Sequence, residues 1–142
     1  VRVLIDSNIL ISALTFDGQV RKLLRRLLRS RKAVIAEEAL SECRRKLLGK
    51  LVVPKTAVDD WEAYLRHKAE ILPRQGHAPP LSRDPKDDWV LAAALVGHCD
   101  CILTGDADLT VLKANQGIPI LRPRDFLAFE DGRFQQRRLR PK

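Results

Sequence analysis

Short apolar runs alternate with amphipathic stretches along the sequence, and this alternation is what most restricts the fold. Residues 1–5 are apolar apart from Arg2, and Asp6-Ser7-Asn8 separates them from a second apolar stretch at 9–14. That is the pattern of a buried strand ending in a polar turn that opens a helix. Over 19–31, Val20, Leu23, Leu24, Leu27 and Leu28 recur at three- and four-residue spacing with the basic residues between them, which predicts an amphipathic helix. Residues 33–36 read as a second strand and 37–50 as a helix with acids in its first turn and bases in its last, as the macrodipole favours. Pro54 can open a further helix, predicted to continue to Leu72. The proline-rich stretch 73–85 is the longest connection. Beyond it come a helix at 87–97, a strand at 101–103, a turn at 104–108, a short helix at 109–116 closed by Gly117, a strand at 118–121, and a last turn or helix at 122–129. Strands separated by helices pair in parallel and need cover on both faces, so the expected fold class is α/β: three layers, α/β/α, around a central, mainly parallel sheet.

The chain has 142 residues, 45% of them hydrophobic and 31% charged, which suits one folded domain and lies far from the composition of disordered chains. Its net charge is +8, unevenly spread. Arg133, Arg137, Arg138, Arg140 and Lys142 form a basic tail, dividing the chain into a domain at 1–129 and a tail at 130–142. Arg21, Lys22, Arg25, Arg26, Arg29, Arg31 and Lys32 form a second block, and Arg44, Arg45, Lys46 and Lys50 a third. Such blocks are either solvated helix faces or the footprint of a polyanion whose counterions they displace. No run is long and apolar enough to cross a bilayer, and the first residues read as a strand, not a signal peptide, so the expected location is the cytoplasm. Cys43, Cys99 and Cys101 are odd in number and lack Cys-x-x-Cys spacing, which predicts buried thiols instead of disulfides or a zinc site.

Ligand sites in open parallel sheets form at the carboxyl ends of the strands. In this sequence those positions are acidic. Asp6 follows the first strand, Asp106 and Asp108 follow the third, Asp84, Asp87 and Asp88 open the helix before it, and Glu42 lies in the helix after the second. Any one Asp there could simply cap a helix. Several together would repel one another unless a cation offset them, and Mg²⁺ or Mn²⁺ takes such oxygen ligands. His67, His77 and His98 have no partner at metal-ligand spacing, which makes zinc a poor fit. Carboxylates converging within a basic chain suit metal-assisted phosphodiester hydrolysis. Asp106-Ala-Asp-Leu-Thr110 also matches a phosphatase nucleophile loop, but too few residues follow it for that fold. Read as an EF-hand, the same segment puts Val111 and Gly117 where Gly and an acid are needed.

The order of these motifs resembles the PIN-domain family. The resemblance rests on Asp6-Ser-Asn-Ile-Leu after an apolar strand, Glu42 in the helix after the second strand, Asp84-Pro-Lys-Asp-Asp-Trp before an Ala-rich helix, and Thr104-Gly-Asp-Ala-Asp-Leu after the next strand. It is closest to the bacterial toxin components of toxin-antitoxin systems and runs from about Val1 to Phe126. It implies an α/β/α fold and an Mg²⁺- or Mn²⁺-dependent ribonuclease with RNA as substrate. Carried over by position, the acids are Asp6, Glu42, one of the Asp87-Asp88 pair, and Asp106, with Asp108 close by. Asn8 matches the polar residue after the first acid, and Thr104 the hydroxyl before the fourth. Ser7 stands where Thr is more usual, and Ser41-Glu42-Cys43 where an acidic-leucine pair is more typical, leaving Glu37 and Glu38 as fallbacks for the second acid.

On this reading Asp6, Asp88 and Asp106, with Asp87 and Asp108 beside them, hold metal, Glu42 orients a water, and Asn8 steadies Asp6. Thr104 either does the same for Asp106 or caps a turn. Trp89 either stacks a base or fills the core. Arg133, Arg137, Arg138 and Arg140 would contact RNA phosphates. The partners expected are RNA, an antitoxin protein and a second copy of the chain. A catalytically inactive PIN-like module that binds RNA or protein is the alternative; its signature would be loss of an acid, and all four are present. A receiver-like phosphoacceptor domain would need a paired acid and a late Lys, for which Arg122 or Arg124 is a poor substitute.

Overall fold

A computed structural model describes residues 1–74, 85–110, 114–115 and 117–130. The elements run β1 (Val3–Ile5), α1 (Ser7–Thr15), α2 (Gln19–Arg29), β2 (Ala33–Ala36), α3 (Glu37–Leu48), α4 (Lys55–Lys68), β3 (Glu70–Leu72), α5 (Pro85–Val96), β4 (Cys101–Leu103), α6 (Ala107–Thr110), β5 (Ala114–Asn115), β6 (Ile118–Leu121) and α7 (Pro123–Glu130). The sheet order is β3-β2-β1-β4-β6-β5. Every pairing is parallel except that of β5 with β6. Val3 lies beside Ala33 on one side and Cys101 on the other, and Leu103 beside Leu121.

Side chains of successive strand residues go to opposite faces, and the core divides accordingly. Val3, Ile5, Ala33, Ile35, Cys101, Leu103 and Leu121 pack under α1, α2, α3, α4 and α7. Leu4, Val34, Ala36, Ile102 and Ile120 pack under α5 and Leu109 of α6. These are the three layers read from the sequence. The apolar stripe of α2 (Leu23, Leu24, Leu27 and Leu28) is buried, each side chain worth about 1.5–3 kcal/mol relative to exposure. Trp89, half-buried, packs against both halves of the core, as the filling role expects.

Two elements depart from the expected pattern. The helix expected to continue to Leu72 ends at Lys68; Ala69 turns extended and Glu70–Leu72 pairs with β2 as an edge strand. Where a helix is expected over 109–116, the described residues hold a helix at Ala107–Thr110, while Ala114–Asn115 pairs antiparallel with β6 around Gly117, whose φ is +86°. Residues 111–113 and 116 lie outside the described residues, as do 75–84 of the proline-rich connection and 131–142 of the basic tail. The three cysteines are buried free thiols.

The basic block at 21–32 is not one solvated face. Arg21 donates to the carbonyls of Ala13 and Leu14 at 2.7 and 2.9 Å, satisfying the end of α1. Arg26 pairs with Glu130 of α7 at 2.7 Å, with Lys32 at 3.9 Å from the same carboxylate. Lys22, Arg25 and Arg29 remain exposed.

Candidate active site

The chain runs from β1 to β2 and β3 on one side, then crosses to β4 and β6 on the other. The junction of β1 and β4 is therefore the point where the connections diverge, the place where open parallel sheets form a ligand crevice at the strands' carboxyl ends. Asp6 stands in it, the residue after β1 and the N-cap of α1. It is only 5% exposed. Its two oxygens face different ways. Oδ1 accepts the N–H of Ser7 at 2.8 Å, the helix-capping role, while Oδ2 accepts the Thr104 hydroxyl at 2.7 Å from the turn after β4.

Asn8 ties the same two turns together. Its Nδ2 donates to Asp6 Oδ2 at 3.3 Å and to Thr104 Oγ1 at 3.4 Å, and its Oδ1 accepts the Gly105 N–H at 3.0 Å. Thr104, fully buried, also accepts the Asp106 N–H at 3.0 Å. It thus closes the turn carrying Asp106, one of its two expected roles, but the carboxylate it holds is that of Asp6 and not that of Asp106. Backbone bonds from Asp6 N to Leu103 O (3.0 Å) and from Thr104 N to Leu121 O (2.9 Å) extend the sheet into these turns.

Glu42 reaches the crevice from α3, which packs against α1. It is 9% exposed, and its Oε1 accepts the Ser7 hydroxyl. Arg45 and Lys46, one turn further along α3, lie 3.9 and 4.0 Å from its carboxylate. The sequence marks Ser7 only as a hydroxyl in place of Thr; its bond to Glu42 joins helices far apart in sequence, a contact no local pattern signals. Glu37, a fallback for the second acid, is engaged elsewhere, in a forked pair with Arg66 of α4 at 2.8 Å for each bond.

Burial pushes the Asp6 pKa above its usual 3.8; the bonds from Thr104 and Ser7 oppose this, and the charges of Glu42 and Asp106 add to it. Asp6 thus feels the charges of both Glu42 and Asp106. Among the described residues no group of three or more His, Cys, Asp and Glu side chains is arranged to hold a metal ion. The side chains of Asp87, Asp88 and Asp108 lie outside the described structure, as do Asp84, Arg133, Arg137, Arg138 and Arg140. The donors present are all carboxylate oxygens. That fits Mg²⁺ or Mn²⁺, since Mg²⁺ keeps several waters and binds through one or two carboxylates and substrate phosphate.

The family model described as PIN domain matches residues 2–108. No curated protein matches the chain. The matched segment takes in β1 through the first residues of α6, and with them Asp6, Asn8, Glu42, Thr104 and Asp106. The chain belongs to the PIN domain family.

Proposed function

We propose that the protein is a metal-dependent endoribonuclease that hydrolyses RNA phosphodiester bonds, with Mg²⁺ or Mn²⁺ as its cofactor. PIN domains are generally nucleases and usually depend on divalent metals, which supports the class of reaction. The observation that carries the reading is the buried Asp6 carboxylate at the β1–β4 junction, charged against Glu42 and Asp106 in a chain of net charge +8.

Asp6, Asp106 and Asp88, with Asp87 and Asp108, would hold the metal, which when bound lowers the pKa of water and shields the scissile phosphate. The chain's own groups do the positioning. Thr104 and Asn8 fix Asp6 Oδ2, and the Ser7 N–H fixes Oδ1, so one carboxylate geometry is set before any ligand arrives. Ser7 anchors Glu42 through Oε1, its Oε2 lies beside Arg45, and the carboxylate would orient a water. The basic tail from residue 130 would add phosphate contacts without sequence preference.

The motif order further supports the finer reading as the toxin of a toxin-antitoxin pair acting in the cytoplasm, with an antitoxin protein and a second copy of the chain as partners. Among the described residues no helix is long and apolar enough to cross a membrane. Incubating labelled RNA with the protein in Mn²⁺ or in EDTA tests the reaction. Cleavage should require metal and vanish in Asp6→Asn. Cleavage in EDTA, or at the wild-type rate in that variant, would remove the reading.

A further inference from the structure

A groove of about 750 Å³ runs between α2 and α7, on the helical face of the sheet remote from α5. Its floor is apolar, made by Leu23, Pro123 and Leu127, and its rim carries Lys22, Arg29 and Arg124. Leu127 is 50% exposed, large for an apolar side chain on a short helix. Lys22, Arg29 and Arg124 are exposed, and none takes part in a salt bridge with another described residue. Arg26 between them is committed to Glu130 and acts as a strut fixing α7 beside α2. No acidic residue lies on α2 at all.

The groove starts close to the crevice. Leu121 accepts the Thr104 N–H, and Pro123 stands two residues beyond it. Both α2 and α7 run away from the carboxyl end of the sheet, because α2 leads down into β2 and α7 follows β6. A ligand lying along them would therefore leave the crevice at Pro123 and pass Lys22 and Arg124 toward Arg29.

We propose that this groove carries single-stranded RNA away from the crevice, with phosphates on Lys22, Arg29 and Arg124 and base or ribose faces on Leu23, Pro123 and Leu127. The proposal rests on the ribonuclease reading for the identity of the strand. Cations on the rim answer phosphate charge, and an apolar floor between them suits bases freed from a duplex. The basic tail and a second copy of the same groove carry the wrong charge to fill it.

The test measures affinity for a fluorescent single-stranded oligoribonucleotide in EDTA between about 50 and 200 mM salt. Lys22→Ala/Arg29→Ala/Arg124→Ala is compared with the wild type and with Lys50→Ala/Lys55→Ala/Lys68→Ala, which removes equal charge from exposed positions on and beside α3 and α4. Loss of three phosphate contacts should lower the slope of log affinity against log salt by about 2, and the control should leave it near wild type. Leu127→Ala should weaken binding with the slope unchanged. Equal losses in both triple variants, or none in the groove triple, would overturn the proposal, the second result leaving the groove to an acidic protein. Wild-type affinity in Leu127→Ala would overturn the contact with bases. Binding through the groove by a protein that cuts no RNA in Mn²⁺ would sink the ribonuclease reading alone. Cleavage by a wild type whose groove triple binds normally would sink only the groove.

Discussion

The Thr104 hydroxyl donates to Asp6 Oδ2 at 2.7 Å across 98 residues of sequence, joining the ends of two adjacent parallel strands. Both groups are buried, so the bond cannot be replaced by bulk water. Thr104→Val keeps the shape but leaves the carboxylate short of a donor and the Asp106 N–H short of an acceptor, at a cost of about 1–3 kcal/mol. Thr104→Ser restores the hydroxyl. We expect thermal melts to show the loss for Val and most of it recovered for Ser, with RNA cleavage following the same order. Equal melts for Val and Ser would show that the hydroxyl supplies no stability.

Asp6 also sets how stability responds to pH and metal. Burial holds its pKa above 3.8, so its contribution to folding is full below that value and is lost as pH rises through the folded-state value. Ionised Asp6 is then a liability that a bound cation removes. Mn²⁺ should add about 2.7 kcal/mol of stability at 100 times its Kd at neutral pH, seen as a raised melting temperature, and the gain should shrink as the solution is acidified. Asp6→Asn should melt alike with and without Mn²⁺. Superimposable wild-type melts in Mn²⁺ and EDTA would count against metal at this crevice.

The parts of the fold readable from sequence are those with a strong local period or an abrupt polar stop. The stripe of α2 and the apolar run before Asp6 are of that kind. In sequence β3 is indistinguishable from the preceding helix, because Glu70-Ile-Leu is too short to show alternation and no Gly or Pro separates it from Lys68. It is a strand because β2 offers an open edge, a fact of tertiary structure. β5 is two residues long and exists through its pairing with β6. The crevice divides in the same way. Acids after strands marked Asp6 and Asp106, but their neighbourhood depends on β1 lying beside β4, which strand sequences alone do not order. The bond from Ser7 to Glu42 depends on how α1 packs against α3.

The thiols give an independent check on burial. Loss of solvation pushes the pKa of Cys43 up to about 12 and of Cys99 up to about 11, and raises that of Cys101. None is a thiolate near neutral pH, so the native protein should react with an aromatic disulfide reagent only as fast as it opens. In denaturant all three should react at once. A thiol that reacts rapidly in the native protein would contradict the packing assigned to it.

Val52 offers a test of backbone strain away from the crevice. Among the described residues, three other than glycine have positive φ: Arg31 at 58°, Val52 at 51° and His98 at 52°. Arg31 and His98 follow the last turns of α2 and α5, where a left-handed residue lets the chain close the helix. Val52 is the costly one, since a branched Cβ crowds the carbonyl in this region by about 1–2 kcal/mol. Its side chain is 78% exposed, so removing it forfeits little burial. Val52→Gly relieves the crowding but adds freedom to the unfolded chain, worth about 0.5–1 kcal/mol in the other direction. The difference should leave the variant more stable by about 0.5–1 kcal/mol, measured by denaturant unfolding with an unchanged slope. Val52→Ala, which keeps a Cβ but not the branching, should fall between the two. A Gly variant less stable than wild type would mean that Val52 is not strained as its φ requires.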